Sequence, residues 1–189
     1  MYRYLILSTI FCVTFSKLVI AGVTIHFEGT VSSNDNLSKI FYVVKDFAAK
    51  NKWTVEDASS DQGVLQRVIN EENKDYKGKI TGIVVRISDQ CEPLYFQFGD
   101  DLLMQDFVKT QFAGPDVHIK IVELLEIIKP YFKNLNIIDE GEYWETKDRE
   151  ILEKHMNTVN SIINEIKENN PKAVGPIMDN NGRIIDVIQ

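Results

Sequence analysis

Three stretches of this chain carry side chains that could do chemistry. In the first, Val23 to Val31, residues alternate so that Val23, Ile25 and Phe27 face one side while Thr24, His26 and Glu28 face the other. An imidazole and a carboxylate therefore share one face of a strand. The second precedes a Gly114-Pro115 helix start, where Lys109-Thr110-Gln111 stands just ahead and His118 falls in the first turn. Free N–H groups and the helix dipole there favour an anion, and the same dipole favours a neutral His118 able to donate a hydrogen bond or bind a metal. Asp116 is already a local anion, and proline removes one donor. The third is Asp139-Glu140-Gly141-Glu142-Tyr143-Trp144-Glu145, with acids for a hard cation or a helix N-terminus and two aromatics that stack on a ligand or partner. Its spacing is not that of an EF-hand loop.

These stretches suggest one metal set, in which His26, His118 and a carboxylate from Asp139 or Glu142 would surround zinc, though no local His-x-x-x-His pair supports it. His155 lies on the apolar stripe of a later helix and reads as a core histidine. Cys91 has apolar neighbours and nothing that marks an activating environment, which favours a buried thiol over a nucleophile. The chain has no serine-hydrolase elbow, P-loop or dinucleotide fingerprint, and no motif identifies a cofactor.

The elements that must position these groups follow from hydrophobic period. Residues 35–51 repeat Leu37, Ile40, Phe41, Val44, Phe47 and Ala48 at helical spacing behind Ser32 to Asp35. Trp53 to Glu56 reads as a short strand, Val64 to Ile69 as a short helix, and Asn70 to Lys79 as a polar connection. Ile80 to Ile87, Leu94 to Phe98 and Leu102 to Gln111 form an antiparallel meander, with a short helix from Leu102 to Val108 as the alternative. A helix over 116–132 is bent or ended by Pro130, and a buried strand occupies Leu135 to Ile138. Thr146 is placed to cap a helix over 147–169 that stops at Pro171. Residues 171–189 form a tail with a hairpin turn at Asp179-Asn180-Asn181-Gly182.

This order predicts an α+β domain over residues 22–170, a mostly antiparallel sheet with helices on one face, and a ferredoxin-like core with added strands as one winding. The uncovered sheet face would collect His26 and Glu28, then Tyr95 and Gln97 from the second meander strand, and Lys109 and Gln111 from the third.

Arg3, the apolar run Leu5 to Phe15, and Val19-Ile20-Ala21 ahead of Gly22 have the layout of a secretory signal over 1–21, although Lys17 interrupts it. The alternative is an uncleaved anchor over 4–23. Cleavage would leave 19 of the 21 basic residues against 28 acidic ones, moving the net charge from −7 to −9. That acidity argues against nonspecific nucleic-acid binding and leaves a protein or small-molecule partner, with membrane contact only through an uncleaved N-terminus.

Taken as a set, Thr24-Ile25-His26-Phe27, Cys91-Glu92-Pro93-Leu94, Lys109-Thr110-Gln111-Phe112-Ala113-Gly114 and Asp139-Glu140-Gly141-Glu142-Tyr143-Trp144 resemble a group of bacterial proteins with no assigned activity that begin near a Thr-Ile-His-Phe strand. The resemblance covers roughly residues 23–155 and carries over no activity, fold or cofactor. It implies that residues 1–21 are an added export signal and that the tail after 170 is peripheral. The expectation from sequence is an exported, non-catalytic binding domain, periplasmic or secreted, with binding groups His26, Glu28, Tyr95, Gln97, Lys109, Gln111, His118, Glu142, Tyr143 and Trp144. The alternative is a hydrolase, possibly metal-dependent, using His26, His118 and nearby carboxylates.

Overall fold

The structure is a computed structural model that describes residues 22–180 and 182–188, so the expected signal over 1–21 lies outside the described residues. In chain order the elements are β1 (Thr24–Val31), α1 (Asn34–Lys50), β2 (Thr54–Asp57), β3 (Ser60–Leu65), β4 (Val68–Ile69), β5 (Glu72–Asn73), β6 (Tyr76–Arg86), β7 (Leu94–Phe98) and β8 (Leu103–Lys109). There follow α2 (Pro115–Ile128), β9 (Phe132–Asp139), α3 (Tyr143–Thr146), α4 (Arg149–Asn169), β10 (Ile177–Met178) and β11 (Ile184–Ile185). No described helix is long and apolar enough to cross a membrane.

The α+β layout expected from the sequence is observed. β1 is the middle of a three-stranded antiparallel sheet, β8-β1-β9. β2 and β3 run end to end along one edge of β6, and β7 takes its other edge. The turn from β7 to β8 joins the two sheets, with the Leu102 N–H donating to the Gly99 carbonyl. The chain order β1, α1, β7, β8, α2, β9, with β1 between β8 and β9, follows the connectivity of a split βαβ winding, but β7 pairs with β6 and not with β8. The bent β2–β3 strand and β6 extend it.

Alternation in β1 sets the layers. Ile25, Phe27 and Val31 are buried, and they meet Leu37, Ile40, Val44 and Ala48 of α1 and Ile121, Val122, Leu125 and Ile128 of α2. Leu94, Phe96 and Phe98 of β7 and Met104 and Val108 of β8 complete this core. A smaller cluster of Val23, Leu152 and Met156 holds α4 to the body. Ser33 caps α1, its hydroxyl accepting the Asn36 N–H at 3.2 Å.

Several boundaries differ from the sequence reading. Val64 to Ile69 is not a helix: Val64 and Leu65 pair with Lys77 and Tyr76 as part of β3, and Val68 and Ile69 form β4. Four apolar residues fit both periods, and pairing along β6 decides between them. The 70–79 connection holds β5 and the start of β6. Asn70 and Glu71 both have positive φ (53° and 65°), the geometry of a two-residue hairpin turn between β4 and β5. The alternative helix over Leu102 to Val108 is excluded, since Leu103–Lys109 pairs with β1 as β8. α2 ends at Ile128, and Lys129–Tyr131 forms a 3-10 turn around Pro130. The cap of α4 is Asp148, whose carboxylate accepts the Glu150 N–H at 2.8 Å, because Lys147 adopts positive φ and separates α3 from α4.

Candidate functional site

The second face of β8-β1-β9 is an open-topped cleft of about 630 Å³, within the range of ligand pockets. Its floor follows the register. His26 lies between Phe107 and Ile138, and Glu28 lies between Gln105 and Asn136. The His26 and Phe107 rings are 5.7 Å apart. Phe107 is 37% exposed and Ile138 59%, although both are large apolar side chains. Glu28 accepts the Gln105 amide at 2.7 Å, and His26 stands 3.7 Å from Glu140.

Two walls rise from this floor. The hairpin tip between β3 and β6 folds back over it. Arg67, 4% exposed, pairs with Asp101 at 2.6 Å and donates to the Leu103 carbonyl at 2.7 Å. Gln105 does for Val68 what a neighbouring strand would, its amide accepting the Val68 N–H at 2.7 Å and donating to the Val68 carbonyl at 2.9 Å. The tail forms the second wall. Arg183 donates to the Phe107 carbonyl at 2.8 Å, pairs with Asp106 at 2.5 Å and Glu92 at 3.3 Å, and lies 4.0 Å over the Phe107 ring. Burial raises the Asp106 carboxyl above its ordinary value despite the opposing Arg183 charge and hydrogen bond. Its second oxygen is buried and, among the described residues, has no hydrogen-bond partner.

Of the residues expected on this face, His26 and Glu28 are there. Tyr95 and Gln97 line a neighbouring cleft of about 600 Å³, which shares Gln105, Asp106 and Arg183 with the first. Gln97 braces the β2–β3 bend, donating to the Ala58 carbonyl at 2.9 Å. Lys109 and Gln111 are not available. The Lys109 ammonium is held by both Asp186 oxygens at 3.0 Å and by the Ile184 carbonyl. Gln111 is buried, accepting the Val23 N–H and donating to the Met156 carbonyl and the Asn160 side chain. β8 has ended by Thr110, so strand alternation no longer aims Gln111 at the open face.

His118 is fully buried and both ring nitrogens are engaged. Nδ1 is 2.7 Å from the Thr110 hydroxyl, and Nε2 is 3.0 Å from Asp139. Asp139 also accepts the Gly141 and Trp144 N–H groups at 2.7 and 2.8 Å. The hydroxyl–imidazole–carboxylate order resembles a nucleophile relay, but Thr110 is fully buried and its hydroxyl also meets the Val23 carbonyl. The chain of bonds ties the segment after β8 to α2 and β9.

His26 and His118 do not come together. His26 stands on the open face opposite Ile138, whereas His118 meets Asp139, the next β9 residue, on the helix-covered face. Among the described residues no three His, Cys, Asp or Glu side chains are grouped to hold a metal ion. The acidic-aromatic segment is likewise committed to structure. Tyr143 stands edge-on to the His118 ring, and Trp144 lies between the Lys129 and Lys147 ammonium groups at 5.1 and 4.8 Å. Glu142 takes the strained left-handed position ahead of α3 and faces His155 at 3.5 Å. That places His155 on the surface side of α4 rather than in the core. Cys91 is 2% exposed, and burial, with the nearby Glu92 charge, pushes its thiol up to about 12, which makes it inert at neutral pH.

Sequence reasoning missed Arg67, Gln105, Phe107, Ile138 and Arg183. Phe107 and Ile138 were legible as open-face positions of alternating strands. The two arginines were not, since each comes from a segment whose path over the sheet no local pattern encodes. Comparison with family models, curated proteins and solved structures finds no match for the chain.

Proposed function

We propose that the protein is an exported, non-catalytic α+β binding domain whose ligand occupies the cleft over β8-β1-β9. The observation that carries this reading is the floor itself. Phe107 and Ile138 lie exposed beside Glu28 and His26 on a rigid sheet, between walls formed by the hairpin tip and the tail. Apolar surface of this kind, with a few fixed polar groups around it, supports recognition. The Thr110–His118–Asp139 relay is buried, which favours binding over hydrolysis. Arg3, Leu5 to Phe15 and the Val19-Ile20-Ala21 end of the apolar run support export.

The test uses Nile red, a neutral dye that brightens in apolar surroundings. The purified protein is expected to bind it saturably, and Ile138→Asp is expected to weaken that binding about tenfold, equivalent to losing the burial of one aliphatic side chain. Equal dye binding by the two proteins, with both folded by circular dichroism, would remove the cleft as the site.

A further inference from the structure

We infer that β9 is a docking edge for an extended segment of a partner protein, which adds to the sheet as an antiparallel strand and sends a basic side chain into the cleft. The inference rests on the cleft reading above and deepens it by naming the ligand class.

The backbone supplies the first argument. Val31 N–H donates to the Leu102 carbonyl, and the Val23 carbonyl accepts from Thr110, so odd-numbered β1 residues bond to β8. The Thr24 carbonyl accepts from Glu140, so even-numbered β1 residues bond to even-numbered residues of β9. Leu135 and Ile137 therefore direct their N–H and C=O groups away from β1. β9 ends the sheet order β8-β1-β9, and among the described residues nothing bonds to the outward groups of Leu135 and Ile137. An unpaired edge of this kind is a template for an added strand.

Side-chain placement supplies the second. A partner residue bonded to Ile137 has its two neighbours opposite Ile138 and Asn136, on the cleft side. The neighbour at Ile138 extends the apolar row Phe107–His26–Ile138. The neighbour at Asn136 continues the row Gln105–Glu28–Asn136, two strand spacings or about 10 Å from Glu28, within the combined reach of an arginine and a glutamate.

Charge supplies the third. Asp101 neutralises Arg67, and Glu92 with Asp106 neutralises Arg183. Glu28 and Asp75 remain in the cleft with only an amide or a backbone N–H on them and, among the described residues, no ion pair. The cleft thus carries uncompensated negative charge and an apolar shelf, which an apolar–x–basic segment complements. A second copy of this chain does not, because edge-to-edge pairing through β9 would join two acid-lined faces.

The probe is a capped Thr-Val-Thr-Arg-Thr peptide. Its binding is expected to slow amide exchange at Leu135 and Ile137, to weaken about tenfold in Glu28→Gln, the loss of one charge-assisted contact, and to vanish when the central threonine is N-methylated. Equal affinity for the N-methylated peptide, or for one with glutamate in place of arginine, would overturn the inference. So would a dimer whose Leu135 and Ile137 amides are already protected. Failure of the peptide while Nile red still distinguishes Ile138→Asp would discard the edge and keep the cleft; failure of both probes would discard both.

Discussion

His118 shows how a side chain suited to chemistry is spent on stability. Its buried ring joins Thr110 to Asp139, and Asp139 in turn holds the N–H groups of Gly141 and Trp144 at the start of α3. His118→Ala would leave a buried hydroxyl and a buried carboxylate short of partners, so it is expected to cost about 3 kcal/mol in urea unfolding. The pH response has a definite sign. Burial raises the Asp139 carboxyl, but the His118 hydrogen bond and charge, with the Trp144 and Gly141 N–H groups, outweigh it and leave the net value below its ordinary 3.8. A depressed folded-state value means that the unfolded state binds the proton first. The Asp139 contribution is therefore complete above about pH 4 and fades as the pH falls further. The stability gap between wild type and Asp139→Asn, measured by urea midpoints, is expected to close on acidification over that range. A gap unchanged down to pH 3 would contradict the assignment.

At the scale of elements, the segments that local period could decide are the ones with a long, one-sided pattern. α1 repeats its apolar positions over four turns, and β1 alternates without a break, so both were legible along with the faces they bury. The β3–β5 tip was not. Its four apolar residues fit either period, and what makes it strand is β6, which lies later in the chain. The same holds for the site. His26 and Glu28 were placed correctly because alternation fixes them, and Lys109 shares their face but is closed in by the tail, whereas Gln111 was misplaced because β8 ends before it. Gln105 is the element-scale device that sequence hides, a side-chain amide standing in for a strand beside Val68. Gln105→Leu keeps the size and removes both bonds. Hydrogen exchange at Val68 and Lys74 is expected to rise about tenfold or more, as local opening loses its two latching bonds, while the melting temperature moves little. Unchanged exchange at the tip would show that Arg67 alone holds it.

Across the whole molecule, the tail is bound to the body by charges taken out of water. Glu92, only 1% exposed, accepts from the Lys109 and Ile184 N–H groups and from Arg183, and Lys109 is closed in by Asp186. Of the strings that stood out together in the sequence, those around Glu92 and Lys109 hold the tail, and those around Gln111 and Asp139 hold α4, α2 and α3 to the body. The tail thus packs on the body and lines the cleft, where the resemblance implied a peripheral segment. Arg183→Met tests this directly, since it leaves the tail's apolar contacts but strands Asp106 and Glu92 beneath them. The expected loss at pH 7 is about 3 kcal/mol, the scale for unpairing a buried ion pair. This gap also closes on acidification, but through a carboxyl that is raised rather than lowered. Burial already raises Asp106 in the wild type, with the Arg183 charge working against that rise. Without the guanidinium the carboxyl rises further, and the folded state takes up a proton before the unfolded one does. The deficit is then largest where Asp106 is forced to ionise and shrinks as the pH is lowered toward its raised value. Urea midpoints for Arg183→Met and wild type should converge on mild acidification from pH 7. A constant gap would mean that the arginine acts through its stacking on Phe107 and not through its charge.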